Sequence, residues 1–360
     1  MGQMKPDTEQ EQVVEKSNPV IPRRLRRLAT AAFALLIAGG IMTDARRALA
    51  VNCTTQAGLQ PADRDSLLAA GTTFAGAVAA QNFDLLQSSL LPAVTGDWDG
   101  IRSVVQGAKP LFQGGTLAWG DAYLLDATDL KAPADTQFFC TNADSAATMT
   151  INLRNLPPGR YALLIGDYPG ASLAGQLALI VGADAGGKWK LGGIFAREGA
   201  LEGHDGVWFW SHARALAGKK NASGGPSWAA WFSYDAARWL LLPVDFLSSP
   251  HLEKLNHEQA SLGTNPVDAL PLTVPGEGGK PWKITALRFD ASLHSDDLGF
   301  AYESAGTSDP AATRAEAIAA MSALLKQHPD LRENFHGLWA YAEKDGKQSF
   351  AIEQPMAQIP

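Results

Sequence analysis

Among 360 residues, the side chains suited to acid–base, metal or phosphate chemistry are few and scattered. Asp121, Tyr123 and Asp126 fall in Thr116–Ala127, whose alternating polar and apolar residues predict a strand. Alternation puts Asp121 and Tyr123 on one face and Asp126 on the other, so the three cannot line one cavity. A carboxylate serves as a general base only when burial raises its pKa and a partner orients it. Asp121 and Tyr123 are therefore the catalytic candidates, with ordinary solvated carboxylates as the plain alternative. All seven histidines lie between His204 and His336. Neither His204 and His212 nor His251 and His257 have the i, i+4 spacing of a helical zinc site, so no metal site is predicted. Glu333, His336 and Glu343 read as separate edge charges. Gly182–Lys188 fits the Gly-x4-Gly-Lys pattern of a phosphate loop, but Trp189 stands where a magnesium-holding hydroxyl belongs. The segment also lies between two strand-like runs, which makes it a hairpin turn. No Gly-x-Ser-x-Gly elbow occurs, and no cofactor is predicted.

The elements that would position these groups begin after Met1–Ala50, which differs from the rest of the chain. A polar leader reaches Arg23, Arg24, Arg26 and Arg27, an apolar run follows from Leu28 to Met42, and Ala48-Leu49-Ala50 supplies the small residues of a cleavage site. This pattern predicts an export signal and a periplasmic or secreted protein; residues 28–42 as an uncleaved inner-membrane anchor are the alternative. Fifteen residues make a helix of roughly 22 Å, short of a hydrocarbon core of about 30 Å, so no permanent membrane span is expected once the signal is removed. Cys53 and Cys140 are the only cysteines, and in an oxidising compartment they predict a disulfide. Setting aside the 8 basic and 5 acidic side chains of Met1–Ala50 from the 30 and 37 of the whole chain leaves 22 and 32, a net charge of −10. That balance argues against nucleic acid and against docking on anionic lipid.

The hydrophobic content, 46%, and the length suit two or three compact units of α+β class. Pro61–Gly115 has helical periodicity, with Asn82 as a cap ahead of a second helix. Six strand-like runs follow, Thr116–Ala127, Thr136–Asn142, Ala147–Leu153, Arg160–Gly166, Gln176–Val181 and Lys188–Phe195. Two passages, Phe74–Asp84 (FAGAVAAQNFD) and the hairpin Gln176–Ala196 with its Gly187-Lys188-Trp189-Lys190-Leu191 strand, resemble the nuclear transport factor 2-like cone fold of ketosteroid isomerases and polyketide cyclases. The resemblance covers residues 51–199 and implies helices over a curved antiparallel sheet. It also implies a pocket between them in which a carboxylate or histidine can act as base. The extra strand pair around Pro157 and Pro158 departs from that family's pattern and suits a β-sandwich.

Residues 200–262 hold Trp208, Trp210, Trp228, Trp231 and Trp239, half of the ten tryptophans. Asp205–Gly218 predicts a first helix, and a second runs from Gly225-Pro226 to a stop at Pro243. The second is apolar on all sides, as a helix buried between two layers would be. Gly218, Ala230, Tyr234 and Ala237 resemble part of one tetratricopeptide repeat. A single hairpin between neighbouring units is the expectation, and a peptide groove is the alternative. Ser249 and Pro250 open a third helix. Gly263–Gly279 reads as a linker to a final unit, residues 263–360, expected to be a four-stranded, largely antiparallel sheet with one helix from Pro310 to Gln327. Asp345-Gly346 marks a two-residue hairpin. The sequence thus predicts an exported, non-catalytic module that binds a small ligand or an envelope protein. A lyase or isomerase using a carboxylate in the cone pocket is one alternative, and a structural cell-envelope component is another.

Overall fold

The computed structural model describes residues 51–142, 147–219, 227–263, 265–306 and 309–360. The predicted export signal and the predicted helix start at Gly225-Pro226 lie outside them. The chain is α+β. After β1 (Asn52–Thr55) come α1 (Pro61–Ala79), α2 (Phe83–Ser88), α3 (Trp98–Gly107) and α4 (Lys109–Phe112). Pro61 occupies a first-turn position, where its missing donor costs nothing. Asn82 caps α2 as its sequence position predicts, accepting from the Leu85 N–H at 3.2 Å.

All six strand-like runs form strands: β2 (Ala118–Asp126), β3 (Ala134–Thr141), β4 (Thr148–Leu156), β5 (Arg160–Tyr168), β6 (Gly175–Ala183) and β7 (Trp189–Glu198). They divide between two sheets. One has the order β1-β2-β5-β6-β7 and is antiparallel throughout, while β3 and β4 leave it for a small three-stranded sheet that Leu247–Ser248 completes along β4. Alternation along the five-stranded sheet supplies two apolar faces. Ala122, Leu164, Leu179 and Leu191 meet Leu67, Phe74, Val78, Leu86 and Val105 of the helices. Tyr123, Leu125, Leu163 and Ile165 meet Phe138 and Ile151 of the small sheet. The predicted disulfide is present: Cys53 of β1 and Cys140 of β3 are bonded, with Cα atoms 5.0 Å apart, and so staple the small sheet to the large one.

A short ladder of β8 (Ala200–Leu201) and β9 (His204–Asp205) leads into α5 (Gly206–Ala217), α6 (Trp228–Leu241), β10 (Leu247–Ser248) and α7 (Pro250–Ala260). Asp205, Ser227 and Ser249 cap the three helices, accepting from the N–H groups of Trp208, Ala230 and Leu252. The start of α5 lies against the end of α6 so closely that a Cβ on Gly206 would come within 2.6 Å of Leu241, so glycine is what lets the two helices close. α6 is buried along most of its length, but the tryptophans are not uniformly hidden. Trp228 and Trp210 are buried, whereas Trp208 and Trp239 keep 39% and 37% of their surface in water. An indole carries a donor that suits it to an edge, and Trp239 donates to Glu198 Oε2 at 3.0 Å. The close-packed positions of α6 go instead to Ala229, Ala230, Ala236 and Ala237.

The last hundred residues form the expected largely antiparallel sheet with a helix across it, but with five strands instead of four. Gly263–Gly279 is not merely a linker: it supplies β11 (Leu272–Pro275), which pairs with β12 (Pro281–Asp290). Proline is tolerated there because β11 is an edge strand, with one side free of ladder bonds. β13 (Asp297–Glu303) connects through α8 (Pro310–Gln327) and α9 (Pro329–Arg332) to β14 (Gly337–Lys344), and β15 (Lys347–Pro355) closes the order β11-β12-β13-β14-β15. An 18-residue helix returns the chain to the end where β13 began, so β13 and β14 pair in parallel. Asp345 and Gly346 both take positive φ, 53° and 72°, and make the predicted tight turn. α8 and the first half of α6 cover one face of this sheet, joining Leu298, Phe300, Tyr302, Leu338 and Ala340 in one core. All described residues fall within one compact unit. Among them, no helix is long and apolar enough to cross a membrane.

Two outcomes follow from this packing. The disulfide closes residues 87 apart, for which loop entropy gives an upper value of about 4–5 kcal/mol. Reduction, or the double change Cys53→Ser and Cys140→Ser, is expected to lower the urea midpoint markedly, and an unchanged midpoint would contradict the staple. Asp235 of α6 is partly buried, and burial raises its pKa to about 6 despite a 2.6 Å bond from Gln259. The folded chain therefore favours the protonated form, and this group's stabilisation, complete below about pH 4, is lost as pH rises through about 6. Asp235→Asn should raise stability at pH 7.5 by about 1–2 kcal/mol and leave it unchanged at pH 4, as read from denaturation at the two pH values.

Candidate functional site

Asp121 and Tyr123 do not face the helices. Their side of β2 turns toward the small sheet, away from the pocket that the cone resemblance implies, and the helix-facing side presents Ala122 and Leu124. The two residues line a separate cavity of about 480 Å³ with Arg64, Asn142 and Met149. Burial raises the pKa of both, and each also acts on the other through a hydrogen bond and their charges. Asp126 turns to its own loop, accepting from the N–H and hydroxyl of Thr128 at 3.0 and 2.7 Å. Asp184 closes the Gly182–Lys188 segment as a hairpin turn, accepting from Gly186 and Lys188 N–H at 2.9 Å each.

A denser cluster lies on the uncovered face of the C-terminal sheet. With Leu298, Phe300 and Tyr302 of β13 and Leu338, Ala340 and Ala342 of β14 in the core, alternation sends Asp297, Gly299, Gly337, Trp339 and Tyr341 to the other side. β12 adds Arg288 and Asp290, and β15 adds Glu353, which is in register with Trp339. A Cβ on Gly337 would run into Glu353 Oε1 and come within 2.7 Å of Asp297 Oδ1. The carboxylates of β13 and β15 thus meet over the bare backbone of the strand between them. An oxygen of each and a ring nitrogen of His336 all lie within 4.8 Å of one another.

Two carboxylates in register on adjacent strands, Asp290 and Asp297, have opposite electrostatics. Asp290 Oδ1 accepts from the Ser292 N–H and hydroxyl at 3.0 and 2.5 Å, and Oδ2 accepts from Tyr341 at 2.9 Å and Arg288 at 3.2 Å. Burial opposes its charge, but the bonds from Ser292, Tyr341 and Arg288 hold its pKa below the ordinary range. Asp297 is fully buried and has one bond, from His336 Nδ1 at 2.9 Å to Oδ1. Burial, with the Asp290 charge adding to it, pushes its pKa up, only partly offset by His336 and by the Trp339 N–H beside it. The same pair raises His336, chiefly through that bond. Glu353 is raised by burial and by Asp297, and neighbouring Asp296 is raised to about 6 by burial and the charges of Glu202 and Asp297.

Three buried polar atoms here have no hydrogen-bond partner: Asp297 Oδ2, Glu353 Oε1 and Trp339 Nε1. Two are acceptors and one is a donor. Trp339 lies parallel to Tyr341 with centroids 5.8 Å apart, and the Arg288 guanidinium sits 4.3 Å over the Tyr341 ring, so an aromatic wall flanks the carboxylates. The arrangement can accept a positive or hydrogen-bond-donating group, or share a proton between Asp297 and Glu353.

Of the three edge charges singled out near the end of the chain, only His336 belongs to this cluster. Glu333 is exposed, and Glu343 accepts from Thr285 at 2.8 Å. Neither histidine spacing nor the nearby Glu333 and Glu343 point to the cluster, because the partners of His336 are carboxylates 39 residues before and 17 after it in sequence. The available signal was the alternation of Asp297–Glu303 and Gly337–Lys344, which places both glycines and both aromatic residues on the polar face.

No protein-family model matches the chain, and no characterised protein or solved structure is significantly similar to it.

The crowding over Gly337 can be tested directly. Gly337→Ala should cost about 1–3 kcal/mol by overpacking, and Glu353→Ala in the same chain should return part of that loss. A double-mutant cycle in urea reads the coupling, and additive losses would contradict the geometry.

Proposed function

We propose that the protein is an exported ligand-binding module that works by binding rather than catalysis, with its ligand seated over Asp297, Glu353 and Trp339. The observation that carries this reading is the presence of three buried, unpartnered polar atoms on one face of the C-terminal sheet. An unpaired buried acceptor costs on the order of 1–3 kcal/mol, and a ligand that supplies the missing partner recovers that cost. Export is supported by the leader sequence of Met1–Ala50 and by the Cys53–Cys140 bond, which persists in an oxidising compartment such as the periplasm or the extracellular space. A nuclear transport factor 2-like relationship for residues 51–199 rests on the two passages quoted above.

A second reading, a lyase or isomerase, has one observation in its favour. Asp121 combines a raised pKa, a bonded phenol and a cavity wall shared with Arg64. In that reading Asp121→Asn abolishes turnover of any substrate found.

For the leading reading, a thermal-shift screen of the chain against polyols, amines, amino acids and metal salts should yield a ligand that raises Tm. The shift should vanish in Glu353→Gln while the unliganded Tm stays close to that of the parent. Hits that stabilise both chains equally, or a screen with no hits, would contradict it.

A further inference from the structure

We infer that the group which completes this site is a divalent first-row metal ion, held by Asp297, His336 and Glu353. The inference rests on the reading of this face as a ligand site and names the ligand's class. Charge is the first argument. Two ionised carboxylates with a neutral imidazole carry −2, which a divalent cation cancels, whereas protonated His336 cancels only half of it. The second is the state of Asp297. A fully buried carboxylate with one bonded and one unpartnered oxygen, beside an Asp290 whose two oxygens take bonds from Ser292, Tyr341 and Arg288, is prepared for something that its own fold does not supply.

Geometry supplies the third argument. Oxygen and nitrogen ligands at about 2.0–2.2 Å from a common ion stand roughly 3–4 Å apart, and the three candidate atoms are grouped within 4.8 Å. Gly337 keeps the floor of the site free of a Cβ that would strike both carboxylates. They come from three different elements, β13, the turn before β14, and β15, so the sheet register rather than one flexible loop fixes their spacing. One imidazole with two carboxylates is a borderline donor set, suited to Zn²⁺ or Mn²⁺ over the purely oxygen-seeking Ca²⁺. Three protein ligands leave at least one position open. The Trp339 Nε1–H, which acts on Asp297 as a donor without reaching full hydrogen-bond geometry, can also donate to a water or anion in that position.

The test is calorimetric titration of the chelator-treated full chain with Zn²⁺, Mn²⁺ and Ca²⁺ separately, together with tryptophan fluorescence under Co²⁺. The expected result is one saturable Zn²⁺ or Mn²⁺ per chain, bound at least tenfold more tightly than Ca²⁺. Co²⁺ should quench part of the fluorescence, and Trp339→Phe should remove that part. His336→Ala and Glu353→Gln, both at partly exposed positions, should each weaken binding tenfold or more with the far-ultraviolet circular dichroism unchanged. Absence of saturable binding below about 100 μM would overturn the metal assignment, as would binding that survives both substitutions and so belongs to other histidines. If metals fail while another compound stabilises the chain in a Glu353-dependent way, the ligand site stands and its ion does not. If neither binds, both readings fall together.

Discussion

The structure depends on a single helix that belongs to more than one core. The first turns of α6 give Trp228, Ala229, Ala230 and Phe232 to the C-terminal sheet. Its later turns give Tyr234, Ala236, Ala237 and Leu240 to the packing with α5 and α7, and Leu242 and Val244 just beyond it enter the core between the two N-terminal sheets. Small side chains make this sharing possible, because alanine lets backbone approach backbone where a larger residue would separate the layers. Polar bonds fix the junction. Glu258 of α7 accepts from Trp210 at 2.7 Å and from Arg214 at 2.7 and 2.9 Å, and Arg214 holds its pKa down at about 2. Buried Glu198, at the end of β7, accepts from Trp239 of α6 and pairs with His294 at 2.8 Å.

That last contact ties the scaffold to the candidate site. His294 lies in the connection between β12 and β13, two residues before the Asp296-Asp297 pair, so the position of the buried carboxylate is braced from the N-terminal half of the chain. Asp290, at the other end of the same connection, is saturated by its own neighbours, and Asp297 is not. The connection between β12 and β13 thus begins at a carboxylate held as structure and ends at one with a single hydrogen bond. Neutralising the saturated partner would remove bonds from Ser292, Tyr341 and Arg288. Neutralising the other removes a charge that the fold already disfavours.

Much of the architecture was legible because its signals are local. The caps at Asn82 and Ser249, the alternation in six consecutive strands and the Asp345-Gly346 turn each depend on a few adjacent residues, and each is present. What was not legible is long-range. β11 hides in a proline-rich stretch because edge strands tolerate what interior strands do not. The parallel pairing of β13 with β14 follows from a helix crossing back over the sheet, which strand composition alone does not encode. The Cys53–Cys140 bond was readable only because two cysteines allow one pairing. The candidate site is not legible in the sequence because its members, Asp297, His336 and Glu353, come from three separate segments. Asp121 and Tyr123 were correctly placed on one face of β2 by alternation, but alternation does not say which layer covers that face.

The central claim, that α6 makes the flanking sheets one cooperative body, is tested most directly by native-state hydrogen exchange read by mass spectrometry in increasing denaturant. Peptides from β5–β6, from α6 and from β13–β14 should converge on a common opening free energy and lose protection together. Separate plateaus, with the C-terminal sheet opening while β5–β6 stay closed and α6 following only one of them, would contradict it.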